Sequence, residues 1–204
     1  MADFDPITDE IPSELLDEQF REALIHQAVV TYQSNQRRGL AHTKSKPQVS
    51  GPNKKPWRQK GTGRSRHGSQ KTPLWVGGAR AHGPSGERNF NKKMTKQMKK
   101  KARASALAVR IKEEAALQWE PPSLEEPSTA NIHEIFEEEA LTNRKILLLL
   151  SPQEQMVRLS TRNLPYCSPE DAASLNTFQI VAHDVLIFTK QGLSSFVGGV
   201  HHGS

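Results

Sequence analysis

The amino-acid sequence predicts an α/β fold, in which a parallel sheet is flanked by helices and a long basic loop is inserted. Two observations predict it. Short aliphatic runs alternate with helical segments in the second half of the chain, which is typical of parallel α/β layers. Between Gln36 and Lys112, 22 Lys and Arg stand against a single acidic residue, Glu87, and much of this stretch has no periodic pattern.

The first predicted element is an amphipathic helix that begins at Ser13 and ends near Tyr32. Ser13 follows Pro12, and acidic residues come soon after it, which suits the positive end of a helix dipole. No strand is recognisable before Ile11. Apolar residues recur every three or four positions, as expected of a helix face that packs on a core: Leu15, Leu16, Phe20, Leu24, Ala28 and Val29.

Residues 38–90 are predicted to form a long extended loop. Nine glycines and five prolines lie between Gln36 and Phe90, a density of breakers that argues against helix and sheet. Ordering the backbone costs about 1–2 kcal/mol per residue. The loop has almost no aliphatic residues whose burial could offset that cost. We therefore expect it to be flexible alone and ordered only against a partner.

The chain becomes regular again after the loop. Asn91 is the expected cap of a helix from about Lys92 to Ala116, and Ser128 that of a helix through Leu141. The aliphatic run that follows, residues 145–150, indicates a strand buried on both faces.

Three further elements complete the predicted domain. Ser151, Pro152 and Glu154 are typical of a helix start, and this helix is expected to end near Asn163. A short strand is predicted at 165–168, a helix capped by Asn176 through residue 181, and a last strand at 185–188. The glycine-rich tail at 198–202 is not expected to be helical. The prediction is a small Rossmann-like domain of residues 1–37 and 91–204, with the loop inserted in it.

Charge is divided very unevenly along the chain. The net charge of +6 arises from a segment of +21 within a remainder of −15. Cations at such density repel one another unless a polyanion neutralises them, and nucleic acid is the commonest cellular polyanion. With one cysteine, Cys167, no internal disulfide is expected, so a reducing compartment is indicated. The longest aliphatic run has five residues where a membrane span needs about 20, and no targeting signal is visible. A soluble cytoplasmic protein with no membrane partner is predicted.

The richest motif runs from Lys54 to Gly68 and interleaves cations, glycines and an aromatic residue. Lys and Arg bind phosphates, glycine lets backbone amides approach phosphate oxygens, and Trp57 and Trp75 offer faces for stacking on unpaired bases. The predicted RNA-binding residues are Arg37, Arg38, Lys44, Lys46, Lys54, Lys55, Trp57, Arg58, Lys60, Gly61, Gly63, Arg64, Arg66, Lys71, Trp75, Arg80, Arg88, Lys92 and Lys93.

Enzymatic and metal-binding interpretations find little support. Gly61-Thr62-Gly63 resembles the start of a phosphate loop, but Arg66 stands where a dinucleotide fingerprint needs its third glycine, and no Walker motif is present. The eight histidines are scattered, and Cys167 has no cysteine partner for a zinc site. No catalytic residue, metal or cofactor is predicted.

Ten segments carry a recognisable succession of motifs: Asn35 to Gly39, Lys54 to Gly68, Trp75 to Gly78, His82 to Pro84, Asn91 to Met94, Glu125 to Pro127, Lys145 to Leu150, Arg162 to Leu164, Leu175-Asn176 and Asp184 to Thr189. Together they resemble the large-subunit ribosomal protein four family, of bacterial type. The similarity covers roughly residues 24–196, and the run Lys-Pro-Trp-Arg-Gln-Lys-Gly-Thr-Gly-Arg is its most specific part.

The resemblance implies a structural ribosomal protein. Its globular domain would rest on the outer face of the large subunit, and its loop would penetrate the large-subunit rRNA. The tip, around Trp57 to Arg66, would line a narrow part of the nascent-peptide exit tunnel next to large-subunit protein twenty-two. Members bind rRNA early in assembly, and some also bind their own leader mRNA. Two alternatives stay open: an RNA or DNA chaperone that works off the ribosome, and, disfavoured, an enzyme with a Rossmann-like core.

Overall fold

A computed structural model describes residues 4–7, 19–122, 124 and 126–201, with side chains up to residue 197. Contacts divide the chain into two compact units. The first, here called the globular unit, comprises Met1–Tyr32 and Lys93–Ser204, and the second, the loop unit, comprises Gln33–Lys92. None of the helices in the described ranges combines the length and apolar character that crossing a membrane requires.

The globular unit is built on a five-stranded sheet. Its strands are β1 (Phe4–Pro6), β2 (Ala116–Trp119), β3 (Ile146–Leu150), β4 (Cys167–Asp171) and β5 (Val185–Thr189). They lie in the order β1-β2-β5-β3-β4. Strand β1 pairs antiparallel with β2, and the other three pairs are parallel. The predicted α/β fold with a mostly parallel sheet is thus confirmed.

Six α-helices occur in the described part of the chain: α1 (Glu22–Gln36), α2 (Lys96–Lys112), α3 (Thr129–Glu138), α4 (Gln155–Thr161), α5 (Thr177–Ala182) and α6 (Lys190–His201). They contribute to two apolar cores, one on each face of the sheet. Leu147 and Leu149 of β3 join the core covered by α2, α5 and α6. Leu148 and Leu150 join the core covered by α3 and α4. This alternation explains why β3 is a continuous aliphatic run: both faces are buried.

Side-chain caps fix three helix starts. Ser128 Oγ accepts a hydrogen bond from the Asn131 amide at the start of α3, and Asn176 forms a capping box with Gln179 at the start of α5. Both caps were predicted. The predicted cap Asn91 is wrong, because α2 begins four residues later than expected, where the Thr95 side chain accepts from the Met98 amide.

Strands β1 and β2 were not predicted. Phe4–Pro6 forms β1, although no strand was recognisable before Ile11. A three-residue strand carries no periodic signal, and this one depends on tertiary contacts: the Phe4 ring stacks on Trp119 at 5.8 Å between centroids. The helix expected to reach Ala116 ends at Lys112 and is followed by β2, because Glu114 adopts a left-handed φ of 54°.

Several helix boundaries also need correction: α1 continues to Gln36 rather than ending near Tyr32, and α3 ends at Glu138 rather than Leu141. Residues 19–21 are not helical, so α1 begins at Glu22, while the predicted cap Ser13 lies outside the described residues. Helix α4 begins at Gln155 rather than just after Ser151, because Ser151 and Glu154 are joined in a turn before it. The tail expected to be irregular is helical, since α6 continues to His201. The strand predicted at 165–168 lies two residues later, as β4.

Candidate nucleic-acid interface

The backbone between residues 37 and 95, all of it described, forms neither helix nor strand, as the glycines and prolines predicted for residues 38–90. Hydrogen bonds across the loop unit hold it instead. The Thr43 amide donates to Pro84 O at 3.1 Å, the Arg80 amide to Lys44 O at 3.3 Å and the Ala79 amide to Lys71 O at 3.0 Å. Outgoing and returning backbone are therefore tied together without a regular ladder.

The ends of the loop unit are joined by two side chains. Ser34 Oγ donates to Phe90 O at 2.6 Å. Asn35 contacts the Lys92 backbone twice: Nδ2 donates to Lys92 O at 3.2 Å, and Oδ1 accepts from the Lys92 amide at 2.7 Å. This pairing was not predicted from the sequence. The available signal was an asparagine, whose amide can donate and accept at once, at the start of the loop.

The Phe90 ring contacts two of the predicted RNA-binding arginines, Arg37 and Arg88. Arg37 Cζ lies 4.3 Å and Arg88 Cζ 5.0 Å from the centroid of its ring, distances typical of cation–π contacts. Gly39 allows the backbone at residue 39 to lie close to the backbone at Arg88, because a Cβ on Gly39 would stand 2.9 Å from Arg88 O. Both guanidinium groups remain exposed, so they are positioned by Phe90 and still accessible.

Trp57, His67 and Trp75 form an aromatic cluster in the loop unit. The ring centroids are 5.5 Å apart for Trp57 and His67, 5.4 Å for His67 and Trp75, and 6.0 Å for the two tryptophans. Both tryptophans are half-buried. The rings predicted to stack on bases thus partly cover one another, and His67, which was not a predicted site residue, completes the cluster.

A second layer of contacts closes the turn between Trp57 and His67. Trp57 Nε1 donates to Ser65 O at 3.0 Å, and Ser65 Oγ lies 2.8 Å from His67 Nε2. Arg64 Cζ lies 5.6 Å from the centroid of the Trp57 ring. Within the segment between Trp57 and His67, Arg58 Nη2 donates to Gly61 O at 2.9 Å. The segment is therefore held by its own side chains.

The predicted cations are exposed and uncompensated. All of them are classed as exposed except Lys71, which is half-buried, and all lie in the loop unit except Lys93, in the globular unit. Over the described ranges, ion pairs join only Arg110 with Glu113 and Arg158 with Asp171, apart from any contact of Arg21. The positive charge of residues 37–93 therefore has no acidic partner within the described protein.

Five lysines of α2 outside the predicted set share these properties: Lys96, Lys99, Lys100, Lys101 and Lys112 are exposed, and no described acidic group pairs with them. By their spacing, Lys96, Lys99 and Lys100 lie on one face of the helix. By contrast, Arg103 and Arg110 of the same helix donate to backbone carbonyls of the globular unit. The signal for the lysines was the same charge density that marked the loop, but the predicted set stopped at Lys93.

Metal chemistry has no site in the described ranges, where His, Cys, Asp and Glu nowhere gather in groups of three that could hold an ion. The arrangement offers instead a row of exposed cations, three left-handed glycines between residues 61 and 77 and partly exposed aromatic rings. Such groups bind phosphates and stack on bases.

Comparison with known proteins gives a consistent result. A family model described as Ribosomal protein L4/L1 family matches residues 10–198. Large ribosomal subunit protein uL4 of Thermodesulfovibrio yellowstonii is 37% identical over 188 residues, which cover 92% of this chain and 89% of the relative. The protein of the same name from Natranaerobius thermophilus is 39% identical over 173 residues, which cover 85% and 83%. That of Brevibacillus brevis is 34% identical over 172 residues, which cover 84% and 82%. The match extends over most of the chain and confirms the resemblance drawn from the residues: the chain belongs to the Ribosomal protein L4/L1 family, of bacterial type.

Proposed function

We propose that this chain is a structural constituent of the large ribosomal subunit in the bacterial cytoplasm and that it binds large-subunit rRNA through residues 38–90. It acts as a binding protein and needs no cofactor. The globular unit supplies a folded body, and the inserted segment supplies the RNA contacts. The extensive match to proteins named large ribosomal subunit protein uL4 supports the ribosomal role.

One observation carries the RNA-binding proposal: the cations of the loop unit are exposed and lack acidic partners in the described structure. Exposed cations at this density repel one another, and phosphates relieve the repulsion. Each phosphate neutralised by Lys or Arg also releases condensed counterions, which is a large part of the affinity of such proteins for nucleic acids. The loop unit thus has the charge of an rRNA ligand.

The finer role rests on the family resemblance. We infer that the segment around Trp57 to Arg66 lies at a narrow part of the nascent-peptide exit tunnel, beside neighbouring ribosomal proteins. Leu74 and Val76 support a contact of the loop with something other than water, because they are 82% and 108% exposed although apolar. Support of early subunit assembly and binding of the chain's own leader mRNA belong to the same proposal.

The first test is sedimentation of a bacterial lysate on sucrose gradients at low and high salt, with detection of this protein. An integral subunit protein stays with the large subunit at high salt in one-to-one proportion. Release into the light fractions would instead favour the alternative, an RNA or DNA chaperone that binds polyanions off the ribosome.

The second test is a charge-matched comparison. Replacing Arg58, Lys60, Arg64 and Arg66 together with Gln is expected to weaken binding to a large-subunit rRNA transcript and to flatten its salt dependence, since each lost phosphate contact removes about 0.7–0.9 from the log–log slope. The control replaces four exposed cations of the globular unit, Arg144, Lys145, Arg162 and Lys190, with Gln. Equal effects of the two variants would mean that only net charge matters.

A further inference from the structure

Arg58 differs from Lys60, Arg64 and Arg66 in the way its side chain is held in the loop unit. Its Nη2 donates to Gly61 O at 2.9 Å. A Cβ on Gly61 would stand 3.2 Å from Nη2, 3.4 Å from Cζ and 3.5 Å from Nε, so the flat guanidinium lies directly against the Gly61 Cα. Lys60, Arg64 and Arg66 are also exposed, but no described hydrogen bond ties their side chains to the protein.

The backbone that Arg58 supports turns sharply. Gly61 and Gly63 both adopt left-handed conformations, with φ of 80° and 64°. Left-handed residues between right-handed ones direct successive amide groups to one side, the arrangement that binds anions in backbone nests. The same turn sets the directions in which Lys60 and Arg64 project. The positions of Lys60 and Arg64, two candidates for binding phosphate, thus depend on how this turn is held.

We propose that Arg58 is a positioning residue: it shapes the turn at residues 60–64 from within, and the phosphate contacts of this segment are made by Lys60, Arg64 and Arg66. The inference rests on the proposed rRNA binding and assigns different roles to cations that sequence analysis treated alike. Trp57, whose Nε1 donates to Ser65 O, closes the same segment from outside.

The salt dependence of binding separates the two roles. The purified full-length protein is titrated with a fluorescently labelled transcript of bacterial large-subunit rRNA between about 50 and 200 mM salt. Arg66→Met, which loses a phosphate contact, is expected to lower the magnitude of the log–log slope by about 0.7–0.9. Arg58→Met is expected to weaken binding about tenfold, as loss of a hydrogen bond from a charged donor would, with the wild-type slope.

Arg58→Lys provides a charge-preserving variant. Lysine keeps the positive charge and lacks the planar fork that lies against Gly61, so we expect it to bind as weakly as Arg58→Met. If Arg58 contacts a phosphate directly, Arg58→Lys will instead retain most of the wild-type affinity, and Arg58→Met will lose slope as Arg66→Met does. Either result overturns the proposal.

A matched pair of glycine variants tests the same turn with no change of charge. Both Gly61→Ala and Gly63→Ala place a Cβ on a left-handed residue, but the first meets the Arg58 guanidinium and the second meets nothing within 4 Å. We expect Gly61→Ala to weaken binding more than Gly63→Ala. The double variant Arg58→Met/Gly61→Ala should be no weaker than the worse single variant, because both disturb one turn.

Additive losses in the double variant, or equal losses for the two glycines, would contradict the assigned role of Arg58. Far-UV circular dichroism and thermal melting of each variant check that the globular unit is intact. The proposed function itself is judged from the wild type alone: a wild-type protein that does not bind the transcript in a salt-dependent way contradicts rRNA binding, whatever the variants do.

Discussion

Asn35 and Lys92, 57 positions apart in the chain, are joined in both directions at the ends of the loop unit. The Asn35 side chain donates to the Lys92 carbonyl and accepts from the Lys92 amide. Two backbone groups of one residue are thus satisfied by a single amide side chain, which fixes where the returning chain lies relative to the outgoing one.

Replacing Asn35 with Ala is expected to speed hydrogen exchange between the Lys92 amide and solvent. Because Asn35 is exposed, the cost in stability should be small, about 0.5–1.5 kcal/mol for each lost hydrogen bond at most. Asn35→Asp keeps an acceptor for the amide and should keep its protection. Residue-resolved hydrogen exchange by NMR measures this, and unchanged protection in Asn35→Ala would show that the pairing does not hold the backbone.

Gly78 is expected to tolerate no side chain. A Cβ there would stand 2.0 Å from the Thr72 carbonyl oxygen, so Gly78→Ala must displace backbone around the half-buried Trp75. We expect the variant to expose the aromatic cluster, visible as a red shift of tryptophan emission, and to weaken rRNA binding severalfold. Gly68→Ala is the control, since its Cβ meets nothing within 4 Å and its φ is not left-handed. Similar spectra for both variants would refute the steric argument.

Glu154 holds three elements of the globular unit together. Its Oε2 accepts from the Ser151 amide at 2.7 Å, after β3, and from Thr189 Oγ1 at 2.6 Å, at the end of β5. Thr189 is fully buried, and its Oγ1 in turn accepts from the Gly192 amide in α6. Glu154→Ala should lower the free energy of unfolding by about 1–3 kcal/mol, since it leaves the Ser151 amide without this acceptor and the Thr189 hydroxyl with only the longer bond to Leu149 O, at 3.3 Å.

Denaturant melts of Glu154→Ala and Glu154→Gln measure that cost. The glutamine keeps one acceptor oxygen and should be milder than alanine. Glu138→Ala, on the exposed face of α3, is the control and should change stability by no more than about 0.5 kcal/mol. An alanine variant as stable as the control would mean that Glu154 is dispensable.

Cys167 gives the stability of the globular unit a dependence on alkaline pH. Burial raises the pKa of its thiol to about 12, against an ordinary value of 9.0. Above the ordinary value the unfolded chain loses the proton and the folded chain keeps it, so stability is fully present below about pH 9 and is lost as the pH rises towards 12. The slope is at most about 1.4 kcal/mol per pH unit.

Comparison of wild type with Cys167→Ala isolates that slope from the titration of other groups. Below pH 9 the variant should have the lower free energy of unfolding, because it leaves a small cavity in a buried site. The difference in free energy of unfolding between the two proteins should then narrow between pH 9 and 12. A thiol reagent such as DTNB should react with the wild type only as it unfolds. Rapid reaction of the native protein would contradict the burial of Cys167.

The parts of the fold with a strong local signal could be predicted. Strand β3 was placed to within one residue, because five consecutive aliphatic residues buried on both faces have few other interpretations. Ser128 and Asn176 were identified as caps because their side chains satisfy amide groups only three residues away. The lack of regular structure over residues 38–90 followed from the glycines and prolines, whereas residues 92–95 were wrongly predicted to be helical.

The missed elements depend on distant parts of the chain. Strand β1 has three residues and is defined by pairing with β2, more than 100 positions away. The contacts that organise the candidate interface are of the same kind: Asn35 with Lys92, and Trp57 with His67 and Trp75. Side chains without periodicity give no local indication of such partners. The sequence therefore indicated which cationic and aromatic residues could bind RNA, but not which side-chain contacts hold those residues in place.

The three tryptophans of the chain are distributed so that light emission can distinguish its two units. Trp119 is completely buried in the sheet of the globular unit, 5.5 Å from Phe136 between ring centroids, whereas Trp57 and Trp75 belong to the loop unit. In a protein with Phe in place of Trp119, tryptophan emission therefore comes only from the loop unit, and in one with Phe at positions 57 and 75 it comes only from the globular unit. A response of the loop unit to added rRNA and the melting of the sheet thus become separate optical signals from one polypeptide, with no dye attached.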